Sequence, residues 1–271
     1  MPRAVTKVRL VIFDWAGTTI DHGGRAPLAP FLHAFASQGV EISLEEARGP
    51  MGLSKIDHLR ALLQMPDVAR RWRERHGKDA VEQDIAELYR HFRQQQLEVI
   101  DDFGRLVPGV LDVVGVLRQR GIAVGATTGY FREAAERVYR AAAAQGYSPD
   151  HCVCADDVAA GRPAPWMVFR IMEALGVFPP AAVVKVGDTT ADIGEGLSAG
   201  VWSVGVSRSS SDVGCTEEEW DALPGAEQAR RLADCRHKFL AAGAHAVMET
   251  LAELPALLDE LEARLGRSLK P

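Results

Sequence analysis

Two acidic motifs carry the side chains that a divalent cation needs. Asp14 ends the apolar run VIFD, and Asp188 and Asp192 lie in the string VGDTTAD after another apolar run. Mg²⁺ binds carboxylate oxygens and keeps several of its waters, so two acidic loops at neighbouring strand ends can hold one ion. A single aspartate after a strand is usually only a helix cap. The two motifs together predict a magnesium site.

Between these motifs lie groups that suit a phosphoryl ligand. Thr128 and Gly129 follow a second apolar run, and Arg162 follows a third. Phosphoryl transfer depends mainly on positioning and charge neutralisation, which a hydroxyl, backbone N–H groups and a guanidinium supply. Each motif alone is weak, but all four in this order, each at a strand end, predict one site.

Five short apolar runs, separated by helical stretches, must position these side chains. The runs cover residues 8–13, 122–127, 152–155, 183–186 and 201–206. Strands that alternate with helices predict an α/β fold with a parallel, Rossmann-like sheet covered on both faces. Ligands of such sheets bind outside the carboxyl ends of the strands, which is where the motifs fall.

The segment between the first two runs contains no convincing strand. It has helical spacing of apolar residues and a capping box that begins at Ser43. Pro108 and Gly109 mark the return to the sheet. We therefore predict an inserted helical cap domain at residues 22–107 and a core domain formed by residues 1–21 and 108–271.

Composition excludes several classes of protein. The 271 residues are 47% hydrophobic, which suffices for a full core, and the net charge of −6 gives no basic stripe for nucleic acid. No stretch approaches the roughly 20 apolar residues of a membrane span. Four cysteines form neither paired C-x-x-C spacings nor a disulfide framework. We expect a cytoplasmic protein that binds neither nucleic acid nor membrane.

The motifs identify a family resemblance that covers nearly all of the chain. The sequence resembles the haloacid dehalogenase superfamily, which has an aspartate nucleophile, a Thr or Ser, a Lys or Arg and a GDxxxD loop. The corresponding residues are Asp14, Thr128, Arg162, Asp188 and Asp192. The resemblance implies that Asp14 attacks phosphorus and that water then hydrolyses an aspartyl-phosphate.

Position 16 departs from the phosphatases of this superfamily. They usually carry there a second aspartate that protonates the leaving oxygen, but this chain has Ala16, so we assign only its backbone carbonyl to the metal. Dehalogenases also lack that aspartate, yet they use no metal and their acidic loop departs from GDxxxD. The intact acidic loop at Asp188 and Asp192 therefore favours metal-assisted chemistry at phosphorus.

Three strings resemble a narrower family, the phosphonoacetaldehyde hydrolases or phosphonatases: DWAGTT, PMGLSKIDHLRALL and GRPAPWM. That resemblance implies cleavage of the carbon–phosphorus bond of phosphonoacetaldehyde in 2-aminoethylphosphonate degradation, with Lys55 as a Schiff-base amine. It also implies a pocket lined by Met51, Gly52 and Tyr130, and a homodimer that forms through the caps. From local sequence alone, Met51 and Gly52 could simply form a turn between helices, and Tyr130 could only cover the end of the sheet.

Lys55 and His58 have more ordinary interpretations as well. An isolated helix lysine is usually a solvated charge. Ser54 is predicted to cap this helix, which places Lys55 in the first turn, where the helix dipole disfavours the ammonium form. His58, one turn later, could repel that charge, transfer protons or be a surface histidine.

Two alternative functions remain open at this stage. The first is a magnesium-dependent phosphatase or phosphomutase that acts on a small phosphorylated metabolite, and Ala16 disfavours it. The second is an inactive member that binds a phosphorylated ligand or a partner protein. The joint presence of Asp14, Lys55 and Asp188 disfavours this second alternative.

Overall fold

One six-stranded parallel sheet forms the centre of the protein. The computed structural model describes residues 7–267 and 271. The strands are β1 (Leu10–Asp14), β2 (Ala123–Thr128), β3 (His151–Cys154), β4 (Val183–Gly187), β5 (Trp202–Val206) and β6 (Ala246–Met248). Their order is β3-β2-β1-β4-β5-β6. The predicted α/β fold with a parallel sheet is confirmed.

The first strand lies in the middle of this sheet. All five residues of β1 are buried, as its continuous apolar sequence predicts for a strand covered on both faces. Asp14 pairs with Thr127 of β2, and the preceding Phe13 pairs with Val186 of β4. The carboxyl ends of three strands therefore meet around Asp14.

Helices occupy the inserted segment, as the sequence predicts. They are α1 (Leu28–Ser37), α2 (Leu44–Arg48), α3 (Lys55–Gln64), α4 (Pro66–His76) and α5 (Glu82–Val99), followed by a 3₁₀ turn at Ile100–Phe103. The predicted capping box is present, because Ser43 accepts from the N–H of Glu46 and donates its own N–H to the Glu46 carboxylate. The domain boundaries at residues 22 and 107 stay a prediction.

The remaining helices follow or connect the later strands. They are α6 (Val110–Gln119), α7 (Arg132–Ala144), α8 (Trp166–Ala174), α9 (Thr190–Ser198), α10 (Glu217–Asp221), α11 (Gly225–Ala241) and α12 (Leu254–Gly266). The stretch after Thr216 forms two helices, α10 and α11. Pro224 separates them, because proline cannot donate the backbone hydrogen bond that a continuous helix needs.

The two connections between the sheet and the inserted segment run side by side. The N–H of Val107 donates to the carbonyl of Thr19 at 2.9 Å, and the N–H of Asp21 donates to the carbonyl of Arg105 at 3.1 Å. Within residues 7–267, no helix is both long and apolar enough to cross a membrane.

Candidate active site

Three buried carboxylates meet at the carboxyl edge of the sheet. Asp14 ends β1, Asp188 follows β4, and Asp192 lies in the first turn of α9. One oxygen from each lies within 4.8 Å of the others. Because β1 and β4 are adjacent and parallel, the two acidic motifs end beside each other, as the sequence predicts.

The charge of this cluster is suited to a cation. Burial raises the pKa of Asp188 well above its usual value, and the neighbouring charges of Asp14 and Asp192 raise it further. Burial also raises the pKa of Asp14, although Arg162 opposes this effect. A bound cation would relieve this repulsion, and carboxylate oxygens are the hard donors that Mg²⁺ prefers.

Asp192 already has partners on both of its carboxylate oxygens. Oδ1 accepts from Nζ of Lys185 at 2.6 Å and pairs with Nη1 of Arg162 at 3.1 Å, while Oδ2 accepts from the Thr189 hydroxyl at 2.6 Å. Burial alone would raise its pKa, but Arg162 and Lys185 outweigh burial and lower it. Asp192 thus fixes the positions of the Arg162 and Lys185 side chains, whereas Asp188 lines the pocket.

Arg162 is buried beneath the predicted nucleophile. Its Nη2 donates to Oδ1 of Asp14 at 2.5 Å and to the Thr127 hydroxyl at 2.7 Å, and its Nε donates to Oε2 of Glu195 at 2.9 Å. Its Nη1 reaches the carbonyl of Gly52 at 3.4 Å, which links the sheet to the inserted segment. The guanidinium therefore holds one of the two oxygens of Asp14.

Thr128 ends β2, and Gly129 and Tyr130 form the turn that follows it. The N–H of Tyr130 donates to the Thr128 hydroxyl at 3.1 Å, and all three residues line the pocket. Thr127 and Thr128 point to opposite sides of the strand, as the alternation of a strand requires. Thr128 therefore faces the pocket while Thr127 contacts Arg162 below it.

Lys55 is buried rather than solvated. Ser54 caps α3 by accepting from the N–H of Asp57 at 3.3 Å, so Lys55 is the first helical residue, as predicted. Only 7% of Lys55 is exposed, and its Nζ lies 5.0 Å from the ring centre of Tyr130 and 5.9 Å from that of Phe31. Burial is the main cause that lowers the Lys55 pKa to about 8.

His58 is a buried neutral residue and not a surface histidine. Its Nε2 lies 2.9 Å from the Ala47 carbonyl and must carry the proton, since a carbonyl only accepts. Its ring stacks on Phe31 with 3.8 Å between centres. Burial, and then the charge of Lys55, lower its pKa well below the usual value. The interpretation in which a protonated His58 repels the charge of Lys55 is therefore not supported by the geometry.

One pocket collects most of the predicted residues. It is lined by Asp14, Ala16, Gly24, Pro27, Met51, Gly52, Lys55, Thr128, Gly129, Tyr130, Arg162, Asp188, Thr189 and Ser211. Asp192 and His58 lie outside this lining, one turn behind Asp188 and Lys55 respectively. Sequence reasoning missed Gly24, Pro27, Thr189 and Ser211. Of these, Thr189 had a signal, because it lies inside the acidic motif.

Ser211 supports the acidic loop from the other side. Its N–H donates to Oδ2 of Asp188 at 2.9 Å. The neighbouring Ser209 hydroxyl donates to the carbonyl of Gly17 at 2.7 Å, so this serine-rich loop is fixed to the turn after β1. Nothing in the local sequence links these serines to an aspartate more than twenty residues earlier.

Two glycines allow the inserted segment to approach the sheet closely. A Cβ on Gly129 would lie 2.5 Å from the carbonyl oxygen of Leu53, and a Cβ on Gly52, whose φ is +89°, would overlap the Thr189 hydroxyl. Real Cβ atoms do not approach other atoms so closely. Gly129 therefore lets the turn after β2 pack directly on the backbone of residues 52–53, and Gly52 lets that backbone pack on the Thr189 side chain.

Comparisons with known proteins extend over the whole fold. A family model for haloacid dehalogenase-like hydrolases matches residues 8–200. The phosphonoacetaldehyde hydrolase of Bacillus cereus (strain B4264) is 46% identical over 256 residues, which cover 94% of this chain and 97% of that protein. The phosphonoacetaldehyde hydrolase of Syntrophobacter fumaroxidans is 46% identical over 264 residues, covering 97% of this chain and 95% of that protein.

Solved structures agree with these relatives. A phosphonoacetaldehyde hydrolase-like protein from Oleispira antarctica superposes with a TM-score of 0.95 at 38% identity, and the match covers all of both chains. A β-phosphoglucomutase from Clostridium difficile has a TM-score of 0.67 at 16% identity, covering 95% of this chain and 98% of that one. The second likeness shows the fold alone.

Proposed function

The chain belongs to the phosphonoacetaldehyde hydrolase family of the haloacid dehalogenase-like hydrolases, and from this premise we propose that it hydrolyses phosphonoacetaldehyde to acetaldehyde and phosphate. The observation that carries the proposal is the position of Lys55. Its buried amine, with a pKa lowered to about 8, lines the same pocket as Asp14 and Asp188. An ordinary phosphatase has no use for such an amine.

Lys55 supplies a place for the electrons of the carbon–phosphorus bond. Its amine adds to the aldehyde carbon and water leaves, which gives an iminium. When Asp14 attacks phosphorus, the electron pair of the broken bond passes into the iminium and leaves an enamine. Protonation of the enamine carbon and hydrolysis of the resulting iminium release acetaldehyde and regenerate Lys55. Water hydrolyses the aspartyl-phosphate to phosphate, so one difficult step becomes two.

The other pocket residues bind and orient the substrate. The Thr128 hydroxyl, the Gly129 backbone and the Arg162 guanidinium suit the anionic phosphonate oxygens, because charged donors bind such oxygens strongly. Met51 and Tyr130 surround the aldehyde carbon next to Lys55. His58, neutral and with its Nε2 proton held by Ala47, offers Nδ1 as a hydrogen-bond acceptor for a donor formed during imine formation.

Mg²⁺ is the cofactor that the carboxylate cluster favours. We assign Asp14, Asp188 and the backbone carbonyl of Ala16 as direct ligands, since all three residues line the pocket. Asp192 is assigned to the same site through water, because both of its oxygens already accept from protein donors. When bound, the ion neutralises charge on the phosphonate oxygens.

Three further properties are proposed on the family relationship. Residues 22–107 form the cap and the rest of the chain forms the core domain. Two copies associate through their caps, and the enzyme acts in the cytoplasm on aldehyde derived from 2-aminoethylphosphonate. The observation that the inserted segment is helical and contributes Met51 and Lys55 to the pocket supports the assignment of the cap.

Phosphate release tests the function directly. With Mg²⁺, the protein should release phosphate from phosphonoacetaldehyde much faster than from p-nitrophenyl phosphate. Asp14→Ala should abolish release and should form no acyl-phosphate, while its melting temperature stays near that of the wild type. A protein that prefers the ester would instead be the phosphatase or phosphomutase alternative, which the absence of a carboxylate at Ala16 disfavours.

A further inference from the structure

Glu195 is a buried carboxylate with no part in the reaction described so far. It lies on α9, one turn after Asp192, is fully buried and does not line the pocket. Three donors converge on its Oε2: Nε of Arg162 at 2.9 Å, the Thr127 hydroxyl at 3.2 Å and Nζ of Lys185 at 3.6 Å. A carboxylate is costly to bury, so its place beside these cations calls for an explanation.

The hydrogen bond to Nε fixes the orientation of the whole Arg162 side chain. A guanidinium is planar, and its five N–H groups form a rigid fork. With Nε held by Glu195, Nη2 is directed to Oδ1 of Asp14 and Nη1 to Asp192 and the Gly52 carbonyl. The Thr127 hydroxyl, which accepts from Nη2 and donates to Glu195, completes the same arrangement.

We infer that Glu195 is a positioning residue for phosphorus transfer, a role that rests on the proposed function. It competes for the guanidinium, so that Arg162 holds one oxygen of Asp14 instead of forming a bidentate pair with both. A bidentate pair would occupy both oxygens of the nucleophile, because arginine and carboxylate readily form two parallel hydrogen bonds. Glu195 thereby keeps one oxygen of Asp14 free of the guanidinium and able to attack phosphorus.

This role predicts a loss in turnover and not in substrate binding. Glu195→Gln keeps the volume and an acceptor for Nε but removes the charge that competes with Asp14. We expect kcat to fall by roughly 100-fold, as small misplacements of catalytic groups can cause. KM should stay within about threefold of the wild-type value, because Arg162 keeps its charge and still binds the phosphonate.

The decisive experiment separates imine formation from phosphorus transfer. Borohydride with phosphonoacetaldehyde should label Lys55 in Glu195→Gln at least as fully as in the wild type, while phosphate release falls. Glu260→Gln, the same change at an exposed position on α12, is the matched control and should behave like the wild type. Arg162→Lys removes Nε, the group that Glu195 holds. When Glu195→Gln is added to Arg162→Lys, kcat should therefore fall little further.

Several results would overturn the inference. One is a rate of phosphate release by Glu195→Gln equal to that of the wild type. Another is a loss of Lys55 labelling in parallel with the loss of phosphate release. The third is a double variant in which the effects of Glu195→Gln and Arg162→Lys on kcat simply add. If Glu195→Gln does not fold, Thr127→Val removes the hydroxyl that links Arg162 to Glu195 and should give the same fall in kcat with labelling retained. A wild-type protein that shows neither labelling nor release would refute the proposed function itself, and this inference with it.

Discussion

The ammonium nitrogen of Lys55 lies 5.0 Å from the centre of the Tyr130 ring, and both side chains are buried. The face of an aromatic ring attracts a cation, so this contact favours the charged amine. Burial has the opposite effect and is larger, since the net pKa of Lys55 falls to about 8. Near neutral pH, a much larger fraction of this amine is therefore uncharged than in an exposed lysine, and the amine still has a defined position.

The first prediction concerns the covalent step at Lys55. Borohydride should inactivate the protein only when the aldehyde is present, because reduction converts the imine to a stable secondary amine. Peptide mapping should place the added mass within residues 52–60. Lys55→Arg keeps the charge but cannot form the imine, since guanidinium stays protonated. Its phosphate release should fall by several orders of magnitude.

Two other lysines provide the control for that experiment. Lys78 is exposed, and Lys185 is fully buried against Asp192. Neither lines the pocket, so neither should be labelled. Labelling of either one in place of Lys55, or substantial cleavage by Lys55→Arg, would refute the Schiff-base mechanism even though the fold assignment would stand.

The second prediction is a pH dependence of imine formation. Only the neutral amine attacks a carbonyl, and the Lys55 amine is protonated below a pKa of about 8. The initial rate of borohydride trapping should therefore rise about tenfold per pH unit below that value and level off above it. For an exposed lysine, the rate of borohydride trapping would still rise with pH near pH 10. A rate that does not change between about pH 6 and 9 would contradict the assignment.

The third prediction separates the two aspartates of the acidic loop. A chelator should abolish turnover and Mg²⁺ should restore it. Asp188→Ala should lose the response to Mg²⁺ because it removes a direct ligand. Asp192→Asn should only weaken the response to Mg²⁺, by roughly 10- to 100-fold, as changes to residues that support the direct ligands do. Titration of activity with Mg²⁺ measures both, and equal losses would show that Asp192 is also a direct ligand.

The fourth prediction tests the leaving-group argument at Ala16. Ala16→Asp adds a charge beside Asp14, where burial already disfavours further negative charge. Carbon–phosphorus cleavage should fall, and weak hydrolysis of p-nitrophenyl phosphate should rise, because an oxygen leaving group gains from a general acid. Ala16→Asn, which adds similar volume without an acid, is the matched control. An unchanged ratio of the two activities in Ala16→Asp would count against the argument.

The sequence predicted those features that depend on local pattern. The buried run that ends at Asp14 and its parallel partners follow from apolar composition, and the Ser54 cap follows from residue type at a helix start. Trp15, directly after Asp14, is fully buried, with 4.7 Å between its ring centre and that of Tyr139. Each of these features has a signal within a short stretch of sequence, although its partners in the fold are distant along the chain.

The features that were missed depend on contacts between distant residues. Glu195 and Arg162 are 33 positions apart in the chain. In the sequence, Lys185 is a single polar residue within an apolar strand, and nothing near it indicates a role. Only the packing of α9 against β4 and β5 brings these charges together. Burial of Lys55 and His58 also depends on tertiary contacts, here with Phe31 and Tyr130, so helical spacing alone gave no signal for it.

The close contact made by Gly52 and Gly129 has a consequence for which aldehydes can react. Because the backbone of Gly129 packs directly on the backbone of residues 52–53, we expect the separation between the Lys55 amine and the Asp14 carboxylate to vary little. Phosphonoacetaldehyde has one carbon between its carbonyl carbon and its phosphorus. A homologue with one more methylene would still reach the amine with its carbonyl, but its phosphorus would lie out of line with the carboxylate. We therefore expect the two missing side chains to make the enzyme selective for the length of its substrate.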